Sequence, residues 1–303
     1  MSKLFMMIGL PASGKSTIAK EIAKAEDAEI VSSDLIRKEL FGSEEVQKDN
    51  GKVFELVHSR LVEGLKNGKN MIFDATNIDY KKRRAFLQSL KKLNVEKIAI
   101  LVATSYEECL KRNSNRKRKV PEEVITRMYH NFYIPQYYEG FDRITIRYND
   151  EYSFSLPELE DMNQDNPHHT LTVKEHCVKA ERYLEEKFSS LEKNALKLAT
   201  LLHDIGKLKT KTFINTKGEE TEVAHFYDHE KVSAYDAMFN IGIRMIFKAG
   251  DTKGVLYILN LIQWHMLLHF DMSEKTITKY RNMLGEEAWN DLEILHEADC
   301  EAR

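Results

Sequence analysis

Residues 9–17 read Gly-Leu-Pro-Ala-Ser-Gly-Lys-Ser-Thr, a glycine-rich turn set between an apolar strand pattern at 3–8 and a helical pattern from residue 16. No other feature restricts the fold so strongly. The pattern G-x-x-x-x-G-K-[ST] between strand and helix calls for a parallel sheet whose strand end opens onto a helix N-terminus. Its glycines let the backbone curl, so that the N–H groups around Gly9, Ala12, Ser13 and Gly14 point with the helix N-terminus at phosphates. Lys15 then reaches the β- and γ-phosphates, the Ser16 hydroxyl holds Mg²⁺, and Thr17 completes the loop. The expected ligands are ATP or another nucleoside triphosphate, and Mg²⁺.

Strand and helix patterns keep alternating. Strands are predicted at 29–32, 70–75, 97–103 and 143–148, and helices at 51–67, 80–93 and 106–112. In 51–67, Val53, Val57, Leu61 and Leu65 fall at four-residue steps, an amphipathic stripe stopped by Asn67-Gly68. Alternation on this scale predicts an α/β fold, a parallel sheet with helices on both faces. Past residue 150 the texture changes. Residues 151–167 read as a linker, and beyond them the patterns at 171–188, 194–203, 229–247, 254–268, 274–284 and 286–298 are helical. The predicted organisation is a P-loop α/β domain at 1–150 and an all-α helical bundle at 168–303.

Candidate site residues in the first half stand at strand ends. Asp34, after the second strand, is placed to take or orient the proton of an acceptor hydroxyl, and Arg37, one helical turn on, to clamp a phosphate. Asp74 closes the strand at 70–75, where a carboxylate can organise the site or a Mg²⁺ water. Lys81-Lys82-Arg83-Arg84 reads as a solvated basic face or a landing place for a polyanion. The basic run from Arg112 through Arg116 and Arg118, closed by Pro121, is placed as a lid whose arginines stabilise charge on the transferred phosphoryl group.

The series GLPASGKST, SSDLIR, FDATN with paired arginines after it, and KRNSNRKRKVPEEVITRMY resembles the kinase domain of polynucleotide 5′-kinases over residues 3–148, with phage end-healing kinases nearest in pattern. The resemblance implies that Lys15 and Ser16 bind ATP and metal. It also implies that Asp34 activates a 5′-hydroxyl, that Arg37 contacts phosphate, and that Arg112 and Arg116 bind the nucleotide phosphates.

In the second half, His203-Asp204-Ile-Gly206-Lys207 ends an apolar helix, His176 lies on the buried face of another, and Asp299 stands near residue 300. Of the eleven histidines only His58 and His130 precede residue 150, which favours a histidine-based site in this half. A set of two histidines and two aspartates suits Mn²⁺, Co²⁺, Ni²⁺, Fe or Zn²⁺. HDIGK, TVKEH, Asn166-Pro-His168-His169 and the run His225-Phe-Tyr-Asp228-His229 resemble the HD phosphohydrolase superfamily, over roughly 168–299. That resemblance implies a principal metal site of His176, His203, Asp204 and Asp299, with His229 and His265 at a second metal or a phosphate. Lys207 would neutralise phosphate charge, and hydrolysis would use a water of lowered pKa. In that family a glycine often stands at the position of Asp228.

Together the two resemblances imply a nucleic-acid end-healing enzyme acting on RNA or DNA ends: a 5′-hydroxyl kinase joined to a 2′,3′-cyclic phosphodiesterase or phosphatase, with a ligase acting downstream. A metabolite or nucleotide kinase fused to a nucleotide phosphohydrolase, or an ATP-sensing regulator, are the alternatives. A net charge of −3 excludes a nucleic-acid polycation, so contacts to nucleic acid must come from local basic patches. Apolar runs such as 4–8 and 98–103 are too short to cross a bilayer. A strand at the N-terminus in place of a signal peptide, and scattered cysteines (Cys109, Cys177, Cys300) read as buried reduced thiols, point to the cytoplasm.

Overall fold

The computed structural model describes residues 1–46, 48–167, 170–188 and 193–303. It divides into two compact units, Met1–Met128 with Pro135–Glu151, and Tyr129–Ile134 with Tyr152–Arg303. His168 and His169, part of the expected HD signature, lie outside the described residues.

The first unit opens with β1 (Ser2–Ile8) and α1 (Lys15–Glu26), then β2 (Ala28–Ser32), α2 (Ser33–Phe41), α3 (Asn50–Lys66), β3 (Asn70–Asp74), α4 (Tyr80–Ser89), β4 (Val95–Ala103) and α5 (Tyr106–Ser114). After α6 (Glu122–His130), β5 (Arg143–Tyr148) completes a five-stranded sheet of order β2-β3-β1-β4-β5. Every pairing is parallel. Strands of such a sheet are apolar on both faces, and Leu4 through Ile8 of β1 are buried. Phe5, Met7, Ile72, Ile98, Ile100 and Val102 meet Ala19 of α1 in one core cluster. That packing fixes the first helix against the sheet and so sets the loop between β1 and α1. Asp49 and Asp79 cap α3 and α4 through their side chains.

The run at 81–84 departs from the expected solvated face. Arg83 is 2% exposed and grips Glu139 through two bonds, Nε to Oε2 at 2.6 Å and Nη2 to Oε1 at 2.7 Å. Arg83 stands three residues from the buried Tyr80 and Phe86 and four from Leu87, so it turns inward on their face of α4 while Lys81, Lys82 and Arg84 stay in water.

The second unit is helical: α7 (Val173–Lys187), α8 (Asn194–Leu202), α9 (Lys207–Thr210), α10 (His229–Ala237), α11 (Ile241–Lys248), α12 (Thr252–Trp264), α13 (Glu274–Leu284) and α14 (Glu286–Glu301). α12 packs on α8 and α10, and α7 on α8 and α14. One antiparallel hairpin, β6 (Lys211–Ile214) with β7 (Glu220–Phe226), joins this helical unit where no helical pattern was read. The helix read at 229–247 is two helices, because Asn240 leaves the first and caps the second through Gly242 N at 2.9 Å. Of the stretch 151–167, expected as a linker, residues 152–167 belong to this unit: Phe154 and Leu156 are buried, and Phe154 pairs with Asn240. Among the described residues no helix is long and apolar enough to cross a membrane.

Candidate active sites

In the first unit the turn after β1 is held from several sides. Gly9 N donates to Thr76 O at 3.1 Å, and both Thr104 Oγ1 (2.9 Å) and Asn149 Nδ2 (2.7 Å) donate to Ser13 O. Gly14 has φ 93, and a Cβ there would meet the Asn149 amide at 2.3 Å, so only glycine fits. Lys15, 8% exposed, donates to Leu10 O at 2.6 Å and approaches Ser13 Oγ at 3.4 Å. Burial lowers its pKa to about 8, against the opposing charge of Asp74.

Ser16 Oγ donates to Asp74 Oδ2 at 2.9 Å. Burial raises the Asp74 pKa, with the Ser16 bond and the Lys15 charge acting the other way. This hydroxyl–carboxylate pair beside the phosphate loop is an oxygen donor set that fits Mg²⁺. Asp34 lies near enough for its charge to act on both Lys15 and Asp74.

Arg37 does not stand where a phosphate clamp was expected. It is 5% exposed and donates from Nη1 to Val46 O at 3.1 Å and Asn50 Oδ1 at 2.9 Å. One helical turn from Asp34 points inward here, so the guanidinium ties down the segment before α3. Arg118 takes the place beside Asp34, at 2.7 Å from Oδ2, and also reaches Glu44 at 3.2 Å. It belongs to the basic run, but charge alone did not distinguish it from its neighbours. Arg112 bonds Glu108 at 2.8 Å and Asn149 O at 2.6 Å, near the loop. Arg116 is exposed, and its charge acts on Lys15.

In the second unit His176, His203, Asp204 and Asp299, all buried, come together from α7, the end of α8 and α14, each offering one donor atom within 4.8 Å of the others. His176 Nε2 lies 3.0 Å from Asp299 Oδ1, 3.3 Å from Asp204 Oδ2 and 3.3 Å from His203 Nε2. Asp204, His229 and His265 form a second such group, with Asp204 Oδ1 at 3.1 Å from His229 Nε2 and 3.5 Å from His265 Nε2. Asp204 thus gives one oxygen to each group. Four imidazoles turn Nδ1 to a backbone carbonyl: His203 to Thr200 (2.6 Å), His229 to Phe226 (2.7 Å), His265 to Ile262 (2.7 Å) and His176 to Ala302 (3.4 Å). A carbonyl only accepts, so each Nδ1 carries a proton and each Nε2 is the ring nitrogen turned inward, where it donates to the aspartates and becomes a metal ligand on losing its own proton.

The electrostatics agree with a site built for positive charge. Burial opposes it, yet Lys207, His203 and the bonds from His229 and His265 hold the Asp204 carboxyl well below its ordinary range. Asp299 is likewise depressed despite burial, by His176, His203 and His269. His203 is raised, because Asp204 and Asp299 outweigh its burial, while burial brings His265 down to about 4. The nitrogen and oxygen donors fit a transition ion better than Mg²⁺.

Gly206 explains the glycine of HDIGK. A Cβ there would sit 2.3 Å from His229 O and 2.5 Å from Ser233 N, so glycine lets the turn after α8 press onto α10 and bring Asp204 to His229. Asp228, where the family pattern has glycine, adopts φ 62, a left-handed conformation that aspartate tolerates, and pairs with Lys231. Lys207 is 5% exposed, bonded to Asp204 at 2.6 Å and Gln164 at 2.9 Å. It lines a cavity of about 440 Å³ that opens onto the site, together with His225, Tyr227, His269, Phe270 and Arg303. His269, 2.8 Å from Asp299 Oδ2, went unnoticed in the sequence because no motif surrounds it.

The family model of the AAA domain matches residues 4–135, and that of the HD domain residues 168–300. L-seryl-tRNA(Sec) kinase of Methanococcus maripaludis is 32% identical over 173 residues, 54% of this chain and 66% of that protein. A chain of the Pnkp1/Rnl/Hen1 RNA repair complex shares 24% identity over 42% of each chain, with a TM-score of 0.39. A fungal RNA kinase shares 15% identity over 50% of this chain and 39% of that one, with a TM-score of 0.38. The chain therefore spans just under two thirds of the curated relative and less than half of these two solved chains.

Proposed function

We propose that this chain, which joins an AAA-type P-loop kinase domain to an HD domain, phosphorylates 5′-hydroxyl ends of RNA or DNA and removes 2′,3′-cyclic or terminal phosphates, so that a ligase can act on the ends. The observation that carries the reading is the pairing of two phosphate chemistries in one chain. A phosphate loop has a carboxylate, Asp34, within electrostatic reach of its lysine, and a buried six-residue His/Asp array has the Nε2 atoms of its four imidazoles set inward.

In the kinase domain, Gly9 N and Ser13 N are held by Thr76 O and Leu10 O and shape the turn, Ala12 and Gly14 present backbone N–H groups to the nucleotide, and Ser16 and Asp74 would hold Mg²⁺, which neutralises phosphate charge when bound. Lys15 and Arg116 stabilise charge on the transferred group, and Arg112 contacts the nucleotide. Asp34 accepts the proton of the attacking hydroxyl once Arg118 gives way. In the HD domain, His176, His203, Asp204 and Asp299 would hold one transition ion, and His229 and His265 with Asp204 a second. Such ions supply Lewis acidity and a water of lowered pKa. Lys207 keeps the Asp204 carboxylate charged and orients it, and lines the cavity beside it.

The test is incubation with ATP and an RNA oligonucleotide bearing a 5′-hydroxyl and a 2′,3′-cyclic phosphate, with both ends read by mass. Gain of a 5′-phosphate and opening or loss of the cyclic phosphate are expected. Neither change, with a metabolite phosphorylated instead, would refute the reading. The 32% identical relative is named for a seryl-tRNA acceptor, so seryl-tRNA is the second acceptor to include. Preference for it over a 5′-end would move the kinase to that hydroxyl.

A further inference from the structure

His296 and Cys300 stand four residues apart on α14, hence on one helical face. The 3₁₀ turn His265–His269 after α12 brings His269 against them. His269 Nε2 is 3.2 Å from His296 Nδ1, and the rings meet at 76° with centroids 4.3 Å apart. Cys300 Sγ is 3.8 Å from His296 Nε2. One donor atom from each residue lies within 4.8 Å of the others, the criterion that the two core groups also meet. The nitrogen–nitrogen approach repeats those of the core, 3.3 Å for His176–His203 and 3.2 Å for His229–His265. Cys300, expected as a buried thiol, is exposed, whereas Cys109 and Cys177 are buried.

We propose that His269, His296 and Cys300 form a third, softer metal site of the Zn²⁺ class, distinct from the core of the HD domain. One thiolate and two imidazoles select zinc over Mg²⁺ or Mn²⁺, and three protein ligands leave a fourth position open. Asp299 Oδ2, 2.8 Å from His269 Nε2, is the nearest candidate for it, while Oδ1 of the same carboxylate faces His176. An ion here clamps the 3₁₀ turn to α14 and so steadies Asp299 beside the core.

The competing arrangement is protonic. Arg303 Nη2 donates to His269 Nδ1 at 3.3 Å, which leaves the ring proton on Nε2, aimed at Asp299. Metal binding exchanges these protons in a balanced way. The thiol releases its proton to solvent, the His269 proton moves from Nε2 to Nδ1, and the exposed Arg303 turns into water. The protonic chain has no use for the thiol, and the metal site does.

The test uses the full chain, stripped by chelation and reloaded with Co²⁺. A thiolate ligand gives Co²⁺ a strong sulfur-to-metal charge-transfer band in the near ultraviolet, which nitrogen and oxygen donors do not. The wild type should show this band, added Zn²⁺ should bleach it, and native mass spectrometry should count one ion fewer in Cys300→Ser and in His296→Ala. The band should persist in His203→Ala/Asp204→Ala, which empties the core, so failure of the core reading and failure of this proposal are separable. Absence of the band in the wild type at saturating Co²⁺ would overturn the third site. So would an unchanged band and ion count in Cys300→Ser, which would point to Cys177 beside His203. Loss of the band in the core double variant would overturn its independence.

Discussion

Replacing Lys15 with methionine should stabilise the first unit while abolishing phosphoryl transfer. Burial lowers the Lys15 pKa from 10.5 to about 8, which corresponds to about 3 kcal/mol against the charged form. A lysine depressed on folding is protonated in both states below pH 8, so the whole penalty is present there. Above pH 8 the folded form sheds its proton first, and the penalty fades until the unfolded form also titrates near 10.5. Methionine keeps the packing and drops the charge. It also drops the bonds to Leu10 O and Ser13 Oγ, which offsets roughly 1 kcal/mol. The expected gain is about 2 kcal/mol at pH 7, shrinking towards zero by pH 10, alongside a kinase rate lowered on the order of 10²-fold or more. The measurement is urea unfolding by circular dichroism at both pH values. Trp264 and Trp289 are the two tryptophans and both lie in the second unit, so fluorescence reports that unit and circular dichroism is needed to follow the first. A variant no more stable than wild type at pH 7, or one whose gain survives at pH 10, would refute the assignment of Lys15 as a buried, strained cation.

Asp34→Asn should reduce 5′-phosphorylation by about 10²-fold or more with the ATP KM little changed; a near-normal rate would assign the proton to another group. Asp204→Ala should remove metal from both core groups at once, whereas His229→Ala should spare the group that contains His176, as elemental analysis of the two proteins would show. Equal metal content in both variants would contradict the divided carboxylate. Glu139→Ala removes the carboxylate facing the buried Arg83, which keeps its bond to Asn77 O, and should cost about 3–5 kcal/mol in urea unfolding of the first unit; a loss below about 1 kcal/mol would mean that water reaches the guanidinium.

What the sequence makes legible is chemistry carried by neighbouring residues. The loop from Gly9 to Thr17 and the pair His203-Asp204 announce themselves because their donors are adjacent and their spacing is dictated by a helix end. The partners His176, His229, His265 and Asp299 were reachable through the family pattern around them. Arg37 and Arg118 were harder. Both are arginines near an acidic residue, and whether such a side chain faces a substrate or the interior depends on packing that no local pattern encodes. Arg37 turned inward to the segment before α3, and Arg118 came from 84 residues away to meet Asp34. His269 and His296 had no motif at all, and Cys300 only a cysteine's average tendency to be buried. The hairpin at 211–226 fell in a stretch with no helical period, where the absence of one pattern did not disclose the other.

The carbonyl contacts of the core histidines bear on how the site assembles. His203, His229 and His265 each take their orientation from a carbonyl three residues earlier. Closing so short a loop costs little entropy, so these rings acquire their tautomer and aim as soon as the adjoining turn forms. His176 borrows its carbonyl from Ala302, 126 residues away. Three quarters of the imidazole set is therefore prefabricated in local turns, and one ring waits for α14 to dock. Protection of α7 and α14 from hydrogen exchange should thus track completion of the site, and loosening α14 should misdirect His176 while its three companions keep their aim.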